Sequence, residues 1–176
     1  MRIFIALNFT DEIKNNLYEQ VLYLKKQSVK GNFTRKENLH LTLAFLGEVR
    51  EKQLETLKKI MNQFEVSEFL IEFSDMGAFR NGDELLPYIG IVPNIKLLVL
   101  QQNLIEVLKA SGFTPDEKKF TPHITLGRKV VMKSNAEFYG NDRLYEKEIV
   151  SNTISIMKSE RINGILTYTE IYKREI

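Results

Sequence analysis

The sequence predicts an α+β fold of two pseudo-symmetric lobes, each an antiparallel sheet with helices packed on its outside. Short apolar segments with strand periodicity are interspersed with segments of helical periodicity along the 176 residues. The order strand, helix, strand with a His-x-Thr tetrad occurs roughly twice, and each of the two histidines opens one of these tetrads. We therefore expect residues 1–176 to form a single bilobal domain, with an active-site cleft between the lobes.

The composition is typical of a soluble globular protein, with 43% hydrophobic and 27% charged residues. A net charge of +2 is too small to indicate nucleic-acid binding on its own, so any anionic substrate is expected to bind locally, in a pocket. The absence of cysteine excludes disulfides and thiolate metal sites. Because the chain has two histidines and no cluster of acidic residues, we expect neither a metal nor a cofactor.

The beginning of the sequence does not predict a targeting signal. Residues 2–8 are apolar, but this run is too short and has too many polar residues around it for a signal peptide. No stretch of the sequence has the length needed to span a membrane. We therefore expect a cytoplasmic protein that does not bind membranes. We also expect a monomer, although no motif of the sequence bears on the oligomeric state.

The first lobe is predicted to begin with a buried strand. Residues 2–8 are rich in Ile and Phe, which is typical of a strand covered on both faces. Thr10 can cap the helix that follows, in which acidic residues occupy the first turn and apolar residues recur at helical spacing to about residue 27. Gly31-Asn32 breaks the chain before the first tetrad strand, and Gly47 closes that strand.

The middle of the chain combines a helix with several short strands. Apolar residues recur every three or four positions over about 51–64, which predicts a second helix. Two short strands follow within residues 69–80, and the Asn81-Gly82-Asp83 turn reverses the chain. Residues 85–92 are predicted as an edge strand, because Pro87 lacks the N–H that a central strand needs.

Asn94 can cap a third helix, which ends at Ser111-Gly112. A charged linker leads to Pro122 and the second tetrad strand. Beyond that strand the pattern weakens, and residues 131–146 predict a loop with a turn at Gly140-Asn141-Asp142.

Two further strands are predicted near the end of the sequence. Residues 149–157 and 166–172 alternate between apolar and polar side chains, which is the period of a strand with one buried face. Asn163-Gly164 lies between them and is the residue pair that a two-residue hairpin turn favours. We expect these strands to form a hairpin.

The tetrads His40-Leu41-Thr42-Leu43 and His123-Ile124-Thr125-Leu126 have the same arrangement. Successive side chains of a strand point to opposite faces, so each histidine shares a face with its threonine while the apolar residues point the other way. A histidine on a strand is most often a partly buried structural residue. However, both histidines of the chain are followed by threonine at the second position, and this pairing favours a functional role.

Two imidazoles that face each other across a cleft can act as acid and base near neutral pH. A neutral ring accepts a proton from the nucleophile, and a charged ring donates one to the leaving oxygen. This arrangement suits in-line displacement at phosphorus, with Thr42 and Thr125 donating to the non-bridging oxygens. The residues alone do not say which histidine is the acid, and they are compatible with another acid–base reaction.

The extended motifs resemble the 2H phosphoesterase superfamily. The first tetrad lies in Asn-Leu-His-Leu-Thr-Leu-Ala-Phe-Leu-Gly, residues 38–47, and the second in Phe-Thr-Pro-His-Ile-Thr-Leu-Gly-Arg, residues 120–128. The resemblance covers nearly the whole chain and is closest to the RNA 2′,3′-cyclic phosphodiesterases, also called 2′-5′ RNA ligases. It implies hydrolysis of a 2′,3′-cyclic phosphate at an RNA or nucleotide end to a 2′-phosphate, with 2′-5′ ligation as the reverse reaction.

The resemblance also implies roles for individual residues. His40 would protonate the departing 3′ oxygen, and His123 would accept a proton from the attacking water. Arg128 corresponds to a family position that can contact the phosphate, although strict alternation requires Gly127 to bend the strand before it can do so. The predicted substrate-binding residues are Thr42, Thr125, Arg128, Leu41, Leu43, Ile124 and Leu126.

The sequence leaves the nucleobase platform and the substrate open. A tryptophan that relatives often carry before the first tetrad is missing, and Phe33 or Tyr88 could either stack on a base or pack in the core. Two alternatives to the RNA-end enzyme also remain. One is a 2H phosphodiesterase for another cyclic phosphate or for 2′-5′ oligonucleotides, and the other is a non-catalytic module that binds RNA ends.

Overall fold

The computed structural model describes residues 1–134, 148–151 and 153–175. They form three α-helices, namely α1 (Asp11–Gln27), α2 (Glu51–Gln63) and α3 (Ile95–Ala110). Their strands are β1 (Arg2–Asn8), β2 (Ser28–Phe33), β3 (His40–Glu48), β4 (Phe69–Asn81), β5 (Glu84–Ile91), β6 (His123–Thr125), β7 (Gly127–Met132), β8 (Glu148–Ser151), β9 (Thr153–Ile162) and β10 (Ile165–Glu175).

The strands form two antiparallel sheets, which confirms the predicted α+β class. One sheet has the order β10-β9-β1-β3, and the other has the order β2-β7-β5-β4-β8 with β6 paired to β5. The chain does not complete one sheet before it begins the other. Strand β2 joins the second sheet early, and β9 and β10 return to the first sheet late. One continuous cluster of buried apolar residues extends through both lobes.

The side chains predicted to cap α1 and α3 do so at the first turn of each helix. The Thr10 side chain accepts from the Ile13 N–H at 3.4 Å, and the Asn94 side chain accepts from the Lys96 N–H at 2.8 Å. Each cap satisfies an N–H that has no partner inside the helix. The predicted hairpin turn is also present, with positive φ at both Asn163 and Gly164, as a type I′ turn requires.

Several strands differ from the sequence prediction. The segment 69–80 is part of one strand, β4, whose register with β5 shifts between Phe73 and Met76. Strand β2 was not predicted, and it pairs with β7. The single strand predicted over 149–157 is instead divided between β8, which pairs with β4, and β9, which pairs with β1. The turn predicted at Gly140-Asn141-Asp142 lies outside the described residues.

The prediction that residues 85–92 form an edge strand is wrong, because β5 is central and pairs with β4, β6 and β7. Pro87 is tolerated there by a local break between β6 and β7. Its carbonyl accepts from the Leu126 N–H at 2.9 Å, while the Leu126 carbonyl accepts from the Thr34 N–H at 2.9 Å. In a regular ladder, the N–H of residue 87 would donate to the Leu126 carbonyl. Proline has no N–H, and the Leu126 carbonyl accepts from Thr34 instead, so it is not left without a donor.

Candidate active site

The first residue of β3, His40, is held by a hydrogen bond at each ring nitrogen. Nδ1 lies 2.7 Å from the Asn38 carbonyl oxygen, and Nε2 lies 2.9 Å from the Thr42 hydroxyl. A carbonyl only accepts, so Nδ1 carries the proton and donates it. In the neutral ring Nε2 is then the basic nitrogen, and it accepts from the Thr42 hydroxyl.

Aromatic side chains surround the half-buried His40 ring. The centroid of Phe4 lies 4.8 Å away, and Tyr168 meets the ring edge-on at 5.2 Å. This burial lowers the pKa of His40 to about 4, and the positive charges of Lys14 and Arg128 act in the same direction. In the free protein His40 is therefore neutral at pH 7.

The second histidine, His123, begins the three-residue strand β6. Its Nδ1 donates to the Thr121 carbonyl oxygen at 2.6 Å, and the rings of Phe79 and Tyr88 contact it at centroid distances of 5.3 and 5.4 Å. Burial lowers the pKa of His123, and Arg128 lowers it further. Among the described residues Nε2 has no hydrogen-bond partner.

Both histidines line one cleft of about 500 Å³ between the two sheets. Its size is within the range of sites that hold small molecules and cofactors. The structure thus brings together the side chains that the paired tetrads predicted to share a chemical face. The members of the predicted set that line this cleft are His40, Thr42, His123, Thr125 and Arg128.

Four predicted substrate-binding residues do not line the cleft. Leu41, Ile124 and Leu126 are 0% exposed and Leu43 is 2% exposed, all within the main hydrophobic cluster. Strand alternation turns them away from the histidines, as the tetrad pattern itself indicates. A role of these four positions in substrate binding stays a prediction, and their buried side chains hold the tetrad strands against the core.

Arg128 reaches the histidine side of the sheet because the strand breaks just before it. Strand β6 ends at Thr125, and β7 begins at Gly127 as a separate strand that pairs with β2. Because the strand is interrupted at Leu126, side chains do not alternate strictly between the two faces from His123 to Arg128. The prediction that strict alternation places Arg128 on the opposite face from His123 therefore does not apply. A Cβ at Gly127 would lie 3.0 Å from Val130 and 3.4 Å from the Asn32 carbonyl, so the close approach of β7 and β2 favours glycine there.

A β-bulge brings an unpredicted aromatic residue to the cleft. Ile5 and Ala6 of β1 pair with Ala44 and Thr42 of β3, so β3 contains one extra residue. The bulge moves Phe45 onto the face of Thr42, where it is 42% exposed and lines the cleft. Alternation alone predicts the opposite face, and no signal in the sequence marks the bulge.

Arginines give the cleft a positive charge. Arg35 and Arg161 line it together with Arg128, whereas no Asp or Glu among the described residues does. The Arg161 guanidinium donates to the Gly164 carbonyl at 2.8 Å, and Arg35 lies 3.5 Å from the Glu37 carboxylate. The sequence does not mark Arg161 as a cleft residue, because it is distant in sequence from both tetrads.

The buried Asn38 links β10 to the start of β3. Its side-chain amide donates to the Leu166 carbonyl at 2.9 Å and accepts from the Tyr168 N–H at 3.1 Å. Its own carbonyl holds Nδ1 of His40. One residue therefore fixes both the histidine and the backbone of the tyrosine that packs on it.

The two residues left open as base platforms have different surroundings. Phe33 lines the cleft and also packs against the main core cluster. Tyr88 does not line the cleft and packs on Phe79 at 4.7 Å and on His123. A Cβ at Gly77 would lie 2.6 Å from the Tyr88 ring, so glycine there allows the ring to lie flat on β4.

Neither a metal-binding cluster nor a membrane-spanning helix is present among the described residues. They contain no group of three or more His, Asp or Glu side chains arranged to hold a metal ion. None of their helices has both the length and the apolar character needed to cross a membrane.

Comparison with known proteins gives consistent matches. A family model described as LigT-like phosphoesterase matches residues 7–84. Proteins named RNA 2′,3′-cyclic phosphodiesterase are 34% identical to this chain in Archaeoglobus fulgidus, over 84% of this chain and 82% of that protein, and in Thermotoga maritima, over 73% and 70%. A crystal structure of Escherichia coli LigT has a TM-score of 0.79 at 23% identity, covering 99% of this chain and 96% of that one, which shows a shared fold.

Proposed function

The chain belongs to the LigT-like phosphoesterases of the 2H superfamily, and we propose that it hydrolyses 2′,3′-cyclic phosphates at RNA ends to 2′-phosphates by paired histidine catalysis. The observation that carries this proposal is the meeting of both His-Thr pairs in one cleft. The relatives named RNA 2′,3′-cyclic phosphodiesterase support the choice of substrate.

The orientation of the two rings supports acid–base catalysis at phosphorus. Each Nδ1 donates to a backbone carbonyl, so each Nε2 is the nitrogen left to exchange a proton with substrate. Nε2 of His123 accepts a proton from water as the water oxygen bonds to phosphorus. The bond between phosphorus and the 3′ oxygen breaks, and that oxygen takes a proton from His40.

Charged and hydroxyl groups of the cleft support stabilisation of the transition state. The Thr125 hydroxyl can donate to the non-bridging oxygens, where negative charge accumulates, and the Thr42 hydroxyl can do so once Nε2 of His40 is protonated and no longer accepts from it. Arg128 is exposed, and its guanidinium suits bidentate binding of a phosphate. With a 5′ hydroxyl in place of water as the nucleophile, the same groups would form a 2′-5′ phosphodiester while the bond between phosphorus and the 3′ oxygen breaks.

The low pKa of His40 has a consequence for the reaction. A histidine with a pKa of about 4 is almost entirely neutral at pH 7 and cannot serve as an acid in that state. The anionic phosphate of the substrate favours the charged ring, since an opposite charge nearby raises the pKa of a histidine. We therefore expect substrate binding and protonation of His40 to be coupled.

The decisive experiment incubates the protein with a short RNA that ends in a 2′,3′-cyclic phosphate, in the presence of EDTA, and identifies the product by ³¹P NMR. A 2′-phosphate is expected, and the His123→Ala variant serves as the matched control. A 3′-phosphate would contradict the proposed regiochemistry. Binding without any product would instead favour the RNA-end binding module, and turnover only of 2′-5′ dinucleotides or small cyclic nucleotides would favour the alternative phosphodiesterase.

A further inference from the structure

A second cavity adjoins the catalytic cleft. It has a volume of about 780 Å³ and continues from the cleft over the outer part of the first sheet. The two cavities share part of their lining and therefore lie next to each other. The shared residues are Phe45, Arg128, Arg161, Leu166 and Tyr168.

The second cavity extends the positive charge of the cleft. Beyond the shared arginines it is lined by Arg2, Lys118 and Lys158. Arg2 and Arg128 have no ion-pair partner among the described residues, although both are exposed. Arg128 lines both cavities, whereas Arg2 lines only the second, so Arg2 is an exposed cation that can bind an anion outside the catalytic cleft.

The carboxylates of the second cavity already have partners. Asp116 lies 3.1 Å from the Lys118 ammonium, and Glu160 lies 2.7 Å from the Lys158 ammonium. Glu48 pairs with the N-terminal amine at 3.1 Å. Ion pairs at a protein surface contribute little free energy, so a phosphate can share or replace these contacts at small cost.

The backbone forms part of the wall of this cavity. Gly47 has a φ of +65°, and a Cβ there would meet nothing within 4 Å. The open space beside Gly47 therefore continues from Phe45 along the end of β3.

We propose that the second cavity, through Arg2 and Lys118, binds the phosphodiester backbone of the nucleotides that precede the cyclic phosphate. This inference rests on the proposed function. The catalytic cleft has the volume of a site for one small ligand, so additional nucleotides need further space. The adjoining cavity supplies that space together with cations that suit a phosphate backbone.

The test compares a 2′,3′-cyclic mononucleotide with oligonucleotides of two to six residues that end in the same group. The KM is expected to fall roughly tenfold or more with length, and to rise with salt more steeply for the longer substrates. Arg2→Gln should raise the KM of the hexamer several-fold and leave the mononucleotide kinetics unchanged. Lys96→Gln, on α3, removes the same charge at a distance and should change neither.

Equal KM values for all lengths, or an Arg2→Gln effect of equal size on the mononucleotide, would overturn the inference. Lys118→Gln repeats the test at a second position. Fluorescence anisotropy with an oligonucleotide that ends in a 2′-phosphate measures binding directly. If no substrate is hydrolysed, the proposed function fails, while loss of oligonucleotide affinity in Arg2→Gln would still support the second cavity as a backbone site.

Discussion

The two His-Thr sites are alike in how they fix the imidazole and different in how they expose it. Each Nδ1 donates to the carbonyl of the residue two positions earlier, and each ring lies against one phenylalanine and one tyrosine. Nε2 of His40, however, accepts from the Thr42 hydroxyl. Nε2 of His123 has no such partner within the described part of the chain.

This difference shows that an internal repeat can conserve orientation while it varies the chemical environment. Common tethering of Nδ1 selects the same tautomer at both sites. Burial lowers the pKa of His40 to about 4. Burial also lowers the pKa of His123. We infer that the two rings respond differently to an arriving anion, which is what an acid and a base require.

The largest expected effect comes from removing either ring. His40→Ala and His123→Ala should each lower kcat roughly 10²–10⁴-fold. A diester with a nitrophenolate leaving group distinguishes the two roles, because this leaving group departs without a proton. On that substrate the loss in His40→Ala should shrink, while the loss in His123→Ala should remain.

Equal losses in both variants on both substrates would contradict the assignment of His40 as the proton donor. A reversed pattern would assign that role to His123. Circular dichroism melting curves are needed for each variant, so that a loss of fold is not mistaken for a loss of catalysis.

Removing the threonine hydroxyls should have the next largest effect. Thr42→Val and Thr125→Val keep the side-chain shape and remove a donor to the non-bridging oxygens, for which roughly 10²–10³-fold in kcat is expected. Only Thr42→Val should also change the ¹⁵N chemical shift of its neighbouring histidine Nε2 in the free protein, since only that hydroxyl binds a ring nitrogen. An equal shift change at both histidines would contradict the difference between the sites.

The stability of the free protein should depend on the protonation of His40. Its pKa is lowered in the folded state from about 6.5 to about 4, so the unfolded chain binds more protons in this interval. The free energy of unfolding should therefore fall as the pH decreases from 6.5 to 4, by up to about 3 kcal/mol. Urea unfolding at several pH values measures the slope.

His40→Gln provides the control for this pH dependence, because other groups also titrate in acid. The slope between pH 6.5 and 4.5 should be shallower in His40→Gln than in the unsubstituted protein. His123→Gln should change the slope in the same direction, since the pKa of His123 is also lowered. Parallel curves for all three proteins would show that neither ring is buried in its neutral form.

The smallest expected effect concerns the Asn38 link, which has no counterpart at the second site among the residues that the structure describes. Asn38→Ala removes the hydrogen bonds to Leu166 and Tyr168, and should lower the free energy of unfolding by about 1–3 kcal/mol. In histidine-selective NMR spectra the His40 signals should move more than those of His123. Asn103→Ala, at an exposed position of α3, should leave both stability and spectra unchanged, and equal movement of both histidines would contradict a local role.

Local chemistry made part of this structure predictable. The caps at Thr10 and Asn94 set helix starts through nearest neighbours, and the Asn163-Gly164 turn requires its own backbone geometry. The paired tetrads indicated a shared site because strand alternation is also local. The same rule predicts that the Leu41 side chain points away from the cleft, and Leu41 is buried in the core.

Features that depend on distant pairing were not predictable in the same way. Strand β2 has a polar, glycine-containing sequence that does not favour a strand. It is a strand because its backbone pairs with β7. Phe45 reaches the cleft only because the pairing of β3 with β1 contains a bulge. Arg161 lies far from both tetrads in sequence and reaches the cleft through the position of β9 in the first sheet.

The late return of the chain to the first sheet has a consequence for biosynthesis. On the ribosome, β1 emerges early, but β9, which pairs along one of its edges, emerges only after all strands of the second sheet. Until then the nascent β1 has an open edge, which is a site for unwanted association. Contacts between such distant segments also slow folding. We therefore expect a pause in translation before β9 to favour aggregation more than a pause after β10.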